Sequence, residues 1–362
     1  MRVLVLCSVH DPRDARVSTR EIGALLDAGH AVTQVGPFSA YGAVPRDGVR
    51  GIDIPRAVGR RRLRALRESR RVLREEAPRH DVVIVHSAEG VAAAAGLRHP
   101  ALVWDVHEDT PASLGLKPWL PQALRRPVAG VARLGEKVVE RRRHLLLAEA
   151  AYAERFNQPH PIVPNTPMVP EHVPATGRGR AVYVGSVTVA RGGDDLIALS
   201  RLVDDVRVEI VGPAAGDLAD RLRAAESDRL DWFGFQPNEV ALARLEGATV
   251  GLSLLHDEPN YRHSMPTKLL EYLAHGVPFV STPLPLAVDL AERSGGGVIV
   301  PFGDPTAAAQ AVCALNADDD RRQAMADAGH AWMRDNANWA KDGPMFVRTL
   351  EAWARPPQPS AQ

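Results

Sequence analysis

The chain has 362 residues, 45% of them hydrophobic and 24% charged, which excludes a disordered or fibrous protein and leaves room for two domains. Its 44 Lys and Arg balance 44 Asp and Glu, so no net charge marks it as a nucleic-acid binder. No apolar run approaches the ~20 residues needed to span a bilayer. Cys7 and Cys313 lie in apolar stretches with no partner at metal or redox spacing, which reads as buried free thiols in a reducing cytoplasm.

The N-terminus has one basic residue and a short apolar run, too short for a signal peptide and without a cleavage site, so it reads as a first strand. RVLVLCSV, AVTQVGP, DVVIVHS, ALVWDV and HLLLAEA are successive strand candidates, separated by helical or loop sequence. After the first of them, Ser18, the acid Glu21 three residues later and a closing Gly29 give the start and stop signals of a helix. GRRRLRALRESRRVLREE is a basic helix in which Leu63, Leu66, Val72 and Leu73 make a partial apolar stripe. It reads either as a solvated face or as a surface for anionic lipid headgroups or a lipid-diphosphate acceptor. No aromatic residues interleave with its arginines, so nucleic acid is not expected.

The alternation pauses at a Pro-, Gly- and Thr-rich stretch, read as a linker over about residues 166–179. A second series follows: AVYVGSV, VRVEIVGP, LDWFGF, TVGLSLLH, VPFVST and GGVIVPF. Strands alternating with helices predict an α/β fold of two Rossmann-like, doubly wound parallel sheets facing a cleft, with ligands at the strand carboxyl ends. The expected organisation is a first domain over residues 1–168, a second over 169–338, a helix over 339–354 and a disordered tail over 355–362. The helical stretch from about Arg321 to Trp353 is too long for one βα unit, and Trp339 and Trp353 are candidate anchors for it. Charge is unevenly divided: residues 1–170 carry 26 basic against 18 acidic side chains and residues 171–362 carry 18 against 26, a dipole of +8 and −8. The first half therefore suits an anionic partner.

The most informative stretch is NYRHSMPTKLLEYLAHGVPFVSTPLP, between two predicted buried strands. Pro266 suits a first helical turn, Leu269, Leu270, Leu273 and Ala274 form a packing face, and Gly276 ends the helix. Thr267 and Lys268 fall in the first turn, where free N–H groups, the helix dipole and a cation make an anion site. Glu271, one turn on, stands where it can accept hydrogen bonds from a ribose diol. Lys is scarce in this chain, only four in all, which makes Lys268 the more informative.

This segment resembles the donor-binding motif of glycosyltransferase family 4, retaining enzymes of GT-B fold, and within it a subgroup common in bacterial surface-polysaccharide clusters. DARVSTREIGALLDAGHAVTQV, VWDVHED, IVPNTP and AVYVGSVTVARGG match in the same order along the chain. The resemblance implies a GT-B protein whose C-terminal helix crosses back to the first domain. Its implied activity is glycosyl transfer from a nucleoside-diphosphate sugar, without a strictly required metal or other cofactor, to a hydroxyl of a glycan, lipid-linked glycan or small-molecule acceptor. It implies a cytoplasmic location, peripheral at the inner membrane face if the basic helix meets lipid.

By the same resemblance, Gly185, Ser186, Pro266, Thr267, Glu271 and His263 bind the donor, and Arg191 and Lys268 hold its diphosphate. Arg191 stands where the family usually has Lys. His107 faces the donor sugar, with Asp105 and Glu108 placed to orient it. His263 replaces the first acid of the family's E-x7-E pattern, so it, Asp257 or Glu258 would contact the transferred sugar. Asp14 and Arg16 match a D-x-R on the acceptor side, read either as an acceptor contact or as a salt bridge fixing the loop. Asn165 reads equally as a turn residue or a functional one. No acidic pair follows a strand as a metal-binding D-x-D would, so no metal ligands are assigned. Two other functions fit the same fold: a nucleotide-sugar epimerase and a non-catalytic partner subunit.

Overall fold

The structure, a computed structural model, describes residues 1–107 and 121–354, with the side chains of 122, 123 and 125 left aside. The expected tail over 355–362 and Glu108 lie outside the described residues. The chain divides into two compact units, residues 1–165 with 340–362, and residues 166–339.

The first unit holds β1 (Arg2–Leu6), β2 (Ala31–Gly36), β3 (Val49–Asp53), β4 (Val82–Val85), β5 (Leu102–Val106) and β6 (His144–Leu147) in the order β3-β2-β1-β4-β5-β6. Every pair is parallel. Buried Leu4, Leu6, Val83, Val85, Leu102 and Trp104 pack with Val72 and Leu73 of the helix Arg62–Glu76. Parallel strands covered on both faces need such continuous apolar runs, which is why their sequences do not alternate. The edge strand β3 was not anticipated. Its residues are partly or fully exposed and include Arg50 and Gly51, so it carries no apolar signal.

The second unit holds β7 (Arg180–Val184), β8 (Arg207–Val211), β9 (Leu230–Trp232), β10 (Val250–Ser253), β11 (Phe279–Ser281) and β12 (Gly297–Ile299) in the order β12-β11-β10-β7-β8-β9. Its strands are again all parallel, and the order repeats that of the first unit. Both sheets therefore have the doubly wound strand order of dinucleotide-binding folds.

The structure adds three local details. The helix after β1 begins not at Ser18 but at Ala15, with Asp14 as its cap: the Asp14 carboxylate accepts from Arg16 N and Val17 N. Glu21 is consequently no capping acid but a fully buried side chain. The stretch from Arg321 to Trp353 is two helices, Asp319–Asn336 and Trp339–Ala354. Residues 166–179 are not a free linker, since Thr176 bonds Gln323 and Gly179 N donates to the Asn316 side chain. Within the helix Trp339–Ala354, Trp353 stacks on His144 with ring centroids 4.5 Å apart, and Glu351 lies 3.0 Å from His30.

One contact fixes the carboxyl ends of β7 and β10. Tyr272 is fully buried; its hydroxyl donates to Leu252 O at 2.9 Å and accepts from Val184 N at 3.0 Å. Its ring lies flat on Gly251, where an added Cβ would stand 2.2 Å from Cδ2. Gly251→Ala is expected to destabilise the second unit by about 1–3 kcal/mol, the usual cost of overpacking a close-packed core. Urea unfolding measures it, and an unchanged midpoint would show that the Tyr272 ring has room to move.

Candidate functional site

In the second unit, the ends of β7 and β10 bring the expected donor-binding loops together. Beyond β7, Gly185 and Ser186 turn the chain, and the Tyr183 hydroxyl donates to Ser186 O at 2.8 Å. Thr188 caps the short helix Val189–Arg191 by accepting from Arg191 N. Gly192 follows at φ 80°, and an added Cβ there would stand 2.2 Å from Leu254 O. Only glycine accepts both that backbone conformation and that approach. The loop after β10 is tied to the same place: His256 N donates to Ala190 O, and its ring Nε2 lies 2.8 Å from Asp195 Oδ2.

The helix Thr267–Ala274 starts here, with Pro266 as its cap residue rather than inside the first turn. Leu269, Leu270, Tyr272, Leu273 and Ala274 are buried, and this leaves the first turn to point toward the β7 loop. Lys268 Nζ lies 3.4 Å from the centre of the Tyr183 ring, and an added Cβ on Gly185 would stand 3.7 Å from it. It is shielded from solvent and has no hydrogen-bond partner. Burial, and secondarily the charge of Arg191, pushes its pKa well below that of an ordinary lysine. A cation–π contact offsets only about 2 kcal/mol of such desolvation. Lys268 and Arg191 thus lie within electrostatic reach of each other, and among the described residues Lys268 Nζ has no hydrogen-bond partner.

Around this centre the remaining residues expected to bind the donor are distributed unevenly. Thr267 and His263 are exposed, while Pro266 and Glu271 are partly buried. Asp257, an alternative sugar contact, is engaged with Arg262 at 2.6 and 2.7 Å. Asn260 was passed over in the sequence, yet its Oδ1 is buried without a donor. The only available signal was its position in the same loop as the anion-binding turn.

In the first unit, the loops after β1, β4 and β5 converge on Asp105. Arg16 donates to both Asp105 oxygens, at 2.9 and 2.6 Å, and to Val163 O. His86 Nδ1 and His107 Nδ1 both meet Asp105 Oδ2, at 3.1 and 2.9 Å. Glu21 lies 3.0 Å from Arg16 Nε and 3.4 Å from His86 Nε2. Arg16 and Glu21 are five residues apart on the π-helix Ala15–Ile22, whose i→i+5 bonding brings such residues onto one side. Asp14 and Arg16 thus do not bond through their side chains: Asp14 caps the helix, and Arg16, only 4% exposed, fixes the loop through Asp105. Arg20 donates to the Asn165 side chain, tying the end of the unit to the same helix.

His86, Asp105 and His107 offer ligand atoms within 4.8 Å of one another. Both imidazoles, however, direct Nδ1 at one carboxylate oxygen, and the Arg16 guanidinium engages both oxygens of that carboxylate. That arrangement uses N–H donors where a metal would need lone pairs. The carboxylate holds the His107 ring in place through its Nδ1.

Burial opposes ionisation of Asp105, but the Arg16 charge and its hydrogen bonds hold the carboxyl well below the usual range. Glu21 goes the other way: burial, then the Asp105 charge, raises it well above the ordinary value. Burial likewise lowers His86. One guanidinium faces one carboxylate here, while burial pushes Glu21 and His86 toward their neutral forms. A raised carboxyl stabilises the fold below its unfolded pKa of about 4.5, and that contribution is lost as pH rises through the folded value. Glu21→Gln removes this titration, so its urea midpoint should gain on wild type as pH is raised from about 4.5 to 8. An offset that stays constant with pH would show that Glu21 is ionised in the fold.

Residues 178–318 match the family model described as glycosyl transferases group 1. No curated protein matches the chain in sequence. Among solved structures, sucrose-phosphate synthase from Thermosynechococcus elongatus aligns with a TM-score of 0.75 at 15% identity, covering 97% of this chain and 98% of that one. HepE of Anabaena, solved with UDP and glucose, aligns at 0.70 and 14% identity, covering 97% and 100%. WaaG, a glycosyltransferase involved in lipopolysaccharide biosynthesis, aligns at 0.69 and 15% identity, covering 96% and 99%. The chain has the GT-B glycosyltransferase fold, and the match to the glycosyl transferases group 1 model falls within its second unit.

Proposed function

We propose that the protein is a retaining glycosyltransferase that moves a sugar from a nucleoside-diphosphate donor to an acceptor hydroxyl. The observation that carries this reading is the Lys268 side-chain nitrogen, shielded from solvent and without a hydrogen-bond partner near Arg191 at a helix N-terminus. A diphosphate supplies the missing charge, and Arg191 can grip two of its oxygens at once. Glu271 takes the ribose hydroxyls. Gly185, Ser186, Pro266 and Thr267 present backbone and hydroxyl groups to the phosphates. His263 contacts the transferred sugar, and His107, oriented by Asp105, steadies it.

In the reaction, the bond from the anomeric carbon to the phosphate oxygen breaks while the acceptor oxygen bonds to the same face. The acceptor proton passes to the departing phosphate oxygen, and nucleoside diphosphate leaves. No side chain need act as base. Arg191, Lys268 and the helix dipole lower the barrier by stabilising the developing charge. HepE was solved with UDP-glucose, which makes UDP-sugars the first donors to assay. Glycans, lipid-linked glycans and small-molecule alcohols are the acceptor classes to screen.

A second reading, a non-catalytic partner subunit, rests on His263 standing where the resembling family has an acid. An epimerase would need acids around the sugar, and this position does not supply one. Release of nucleoside diphosphate from a donor separates the readings, since an epimerase returns the nucleotide sugar intact and a partner subunit leaves it unchanged.

Arg191→Ala and Lys268→Ala should each lower kcat by roughly 10²–10³, as when one preorganised transition-state donor is removed. A near-normal kcat at saturating donor would assign that charge a structural role. Glu271→Ala should weaken nucleotide binding by roughly 1.5–3 kcal/mol, the range for hydrogen bonds to a charged group. Unchanged calorimetric affinity would remove Glu271 from the site.

Binding should also take up a proton. Lys268 is depressed in the free protein, and a bound diphosphate raises it. Affinity therefore falls as pH rises through the window between the two values. Titration calorimetry in buffers of different ionisation enthalpy measures the uptake. Its persistence in Lys268→Met would place the proton elsewhere.

A further inference from the structure

In the first unit both carboxyl oxygens of Glu21 and Nε2 of His86 are buried without a hydrogen-bond partner. Neither side chain reaches solvent, and Glu21 Oε2 faces His86 Nε2 across 3.4 Å. Arg16 Nε lies 3.0 Å from Glu21 Oε1 but donates to Asp105 instead. A buried polar group left unpaired costs about 1–3 kcal/mol, and native cores hold few of them. Two such groups in mutual reach pair as soon as one proton lies between them. Without it, a carboxylate is set against an imidazole lone pair.

The other side of the His86 ring decides how the imidazole is loaded. Its Nδ1 lies 3.1 Å from Asp105 Oδ2, an oxygen that also accepts from Arg16 Nε at 2.9 Å. Against its burial, the Arg16 charge keeps Asp105 ionised, and an ionised carboxylate only accepts. Nδ1 of His86 therefore carries a hydrogen, and in the neutral ring Nε2 is the acceptor. The group in front of that acceptor is Glu21, which can donate only when protonated.

The surrounding charges come from several segments. Asp14, Arg16 and Arg20 belong to the helix Ala15–Ile22 and its cap, and Asp105 and His107 stand at the end of β5. Cys7, just beyond β1, is pushed up to about 12 by burial and stays neutral. His10 lies 5.5 Å from the His107 ring. Burial, then Asp105, raises Glu21 in spite of Arg16 and Arg20, while burial lowers His86 in spite of Asp105. Both shifts favour the proton on the carboxyl.

We propose that Glu21 and His86 are positioning residues for His107, acting through a proton that Glu21 donates to His86 Nε2. His86 in turn donates through Nδ1 to Asp105, and Asp105, held by His86 and Arg16, fixes His107 Nδ1 at 2.9 Å. When the proton passes to solvent, Glu21 and His86 Nε2 repel, the His86 ring loses its alignment and Asp105 loosens its hold on His107. The part His107 plays at the sugar rests on the transferase reading; the place of the proton does not.

Imidazole ¹⁵N–¹H spectra of the free, histidine-labelled full chain give the first test. His86 should show a protonated Nδ1 and a bare Nε2. As pH rises through the raised value of Glu21, the His86 and His107 signals should share one titration step. Glu21→Gln keeps an N–H donor that does not ionise, so this common step should vanish. Nucleoside diphosphate release gives the second test. Wild-type kcat should fall across the step, and that of Glu21→Gln should not. Glu21→Ala leaves His86 Nε2 without a donor and should lower kcat roughly 10²-fold on both sides of the step, the cost of a slightly misplaced group. Thermal melting reports whether Glu21→Ala folds, and Glu21→Gln decides the matter if it does not. The proposal is overturned if Nε2 of His86 carries the hydrogen and Nδ1 is bare, or if His86 and His107 share no step. It is equally overturned if Glu21→Gln keeps that step or loses kcat as Glu21→Ala does. Absence of turnover with every donor would fail the transferase reading, and the spectra alone would then decide where the proton lies.

Discussion

A parallel sheet whose strand order reverses has two adjacent strands whose connections leave toward opposite faces, and the carboxyl ends of those strands cannot be covered by their own helices. In the first unit the reversal falls between β1 and β4, in the second between β7 and β10. Every polar group with an unusual environment in the described residues of the two sites hangs on that gap. Arg16 follows β1 and His86 follows β4, with His107 one strand further on. Gly185 follows β7, and Lys268 lies on the helix after β10. The Tyr272 hydroxyl closes the lower part of the second gap by bonding both strands at once. Without that bridge, the Val184 amide and the Leu252 carbonyl would need water at the floor of the site.

The two gaps differ in how they meet the electrostatics of burial. In the first unit a guanidinium faces a carboxylate, an acid and an imidazole beside them are pushed toward neutrality, and the carboxylate holds His107 through its Nδ1. In the second unit Lys268 Nζ has no hydrogen-bond partner among the described residues, and burial, then the Arg191 charge, depresses its pKa.

Much of this was legible in the residues. The six strands of the second unit coincide with the six runs read from the sequence, and the Pro-Thr-Lys turn opens the helix expected there. What was hidden depended on contacts distant in sequence. Nothing local in Asp14 to Glu21 says that the helix is π-wound, so Glu21 passes for a capping acid when it is a buried partner of Arg16 and His86. β3 was missed because an exposed edge strand need not be apolar. Lys268 could be placed on its helix, but the absence of any partner depends on Tyr183 and Gly185, more than eighty residues earlier. In the helix Gln122–Glu140 the buried Glu136 and Glu140 were hidden for a similar reason, since their partners are Arg155 and the amides of 157 and 158, beyond β6.

Residues 340–354 belong with residues 1–165, so the first unit is discontinuous and the second is an uninterrupted insertion within it. During synthesis the ribosome therefore delivers most of the first unit, then the whole of the second, and only after it the helix whose Glu351 and Trp353 meet His30 and His144. Domains fold as units while the chain emerges. For this chain the inserted unit has all its residues first, and the amino-terminal one stays incomplete until residues 340–354 have been made. The interval leaves β6 and the surroundings of His30 uncovered on a nascent chain, a window in which a chaperone has something to hold.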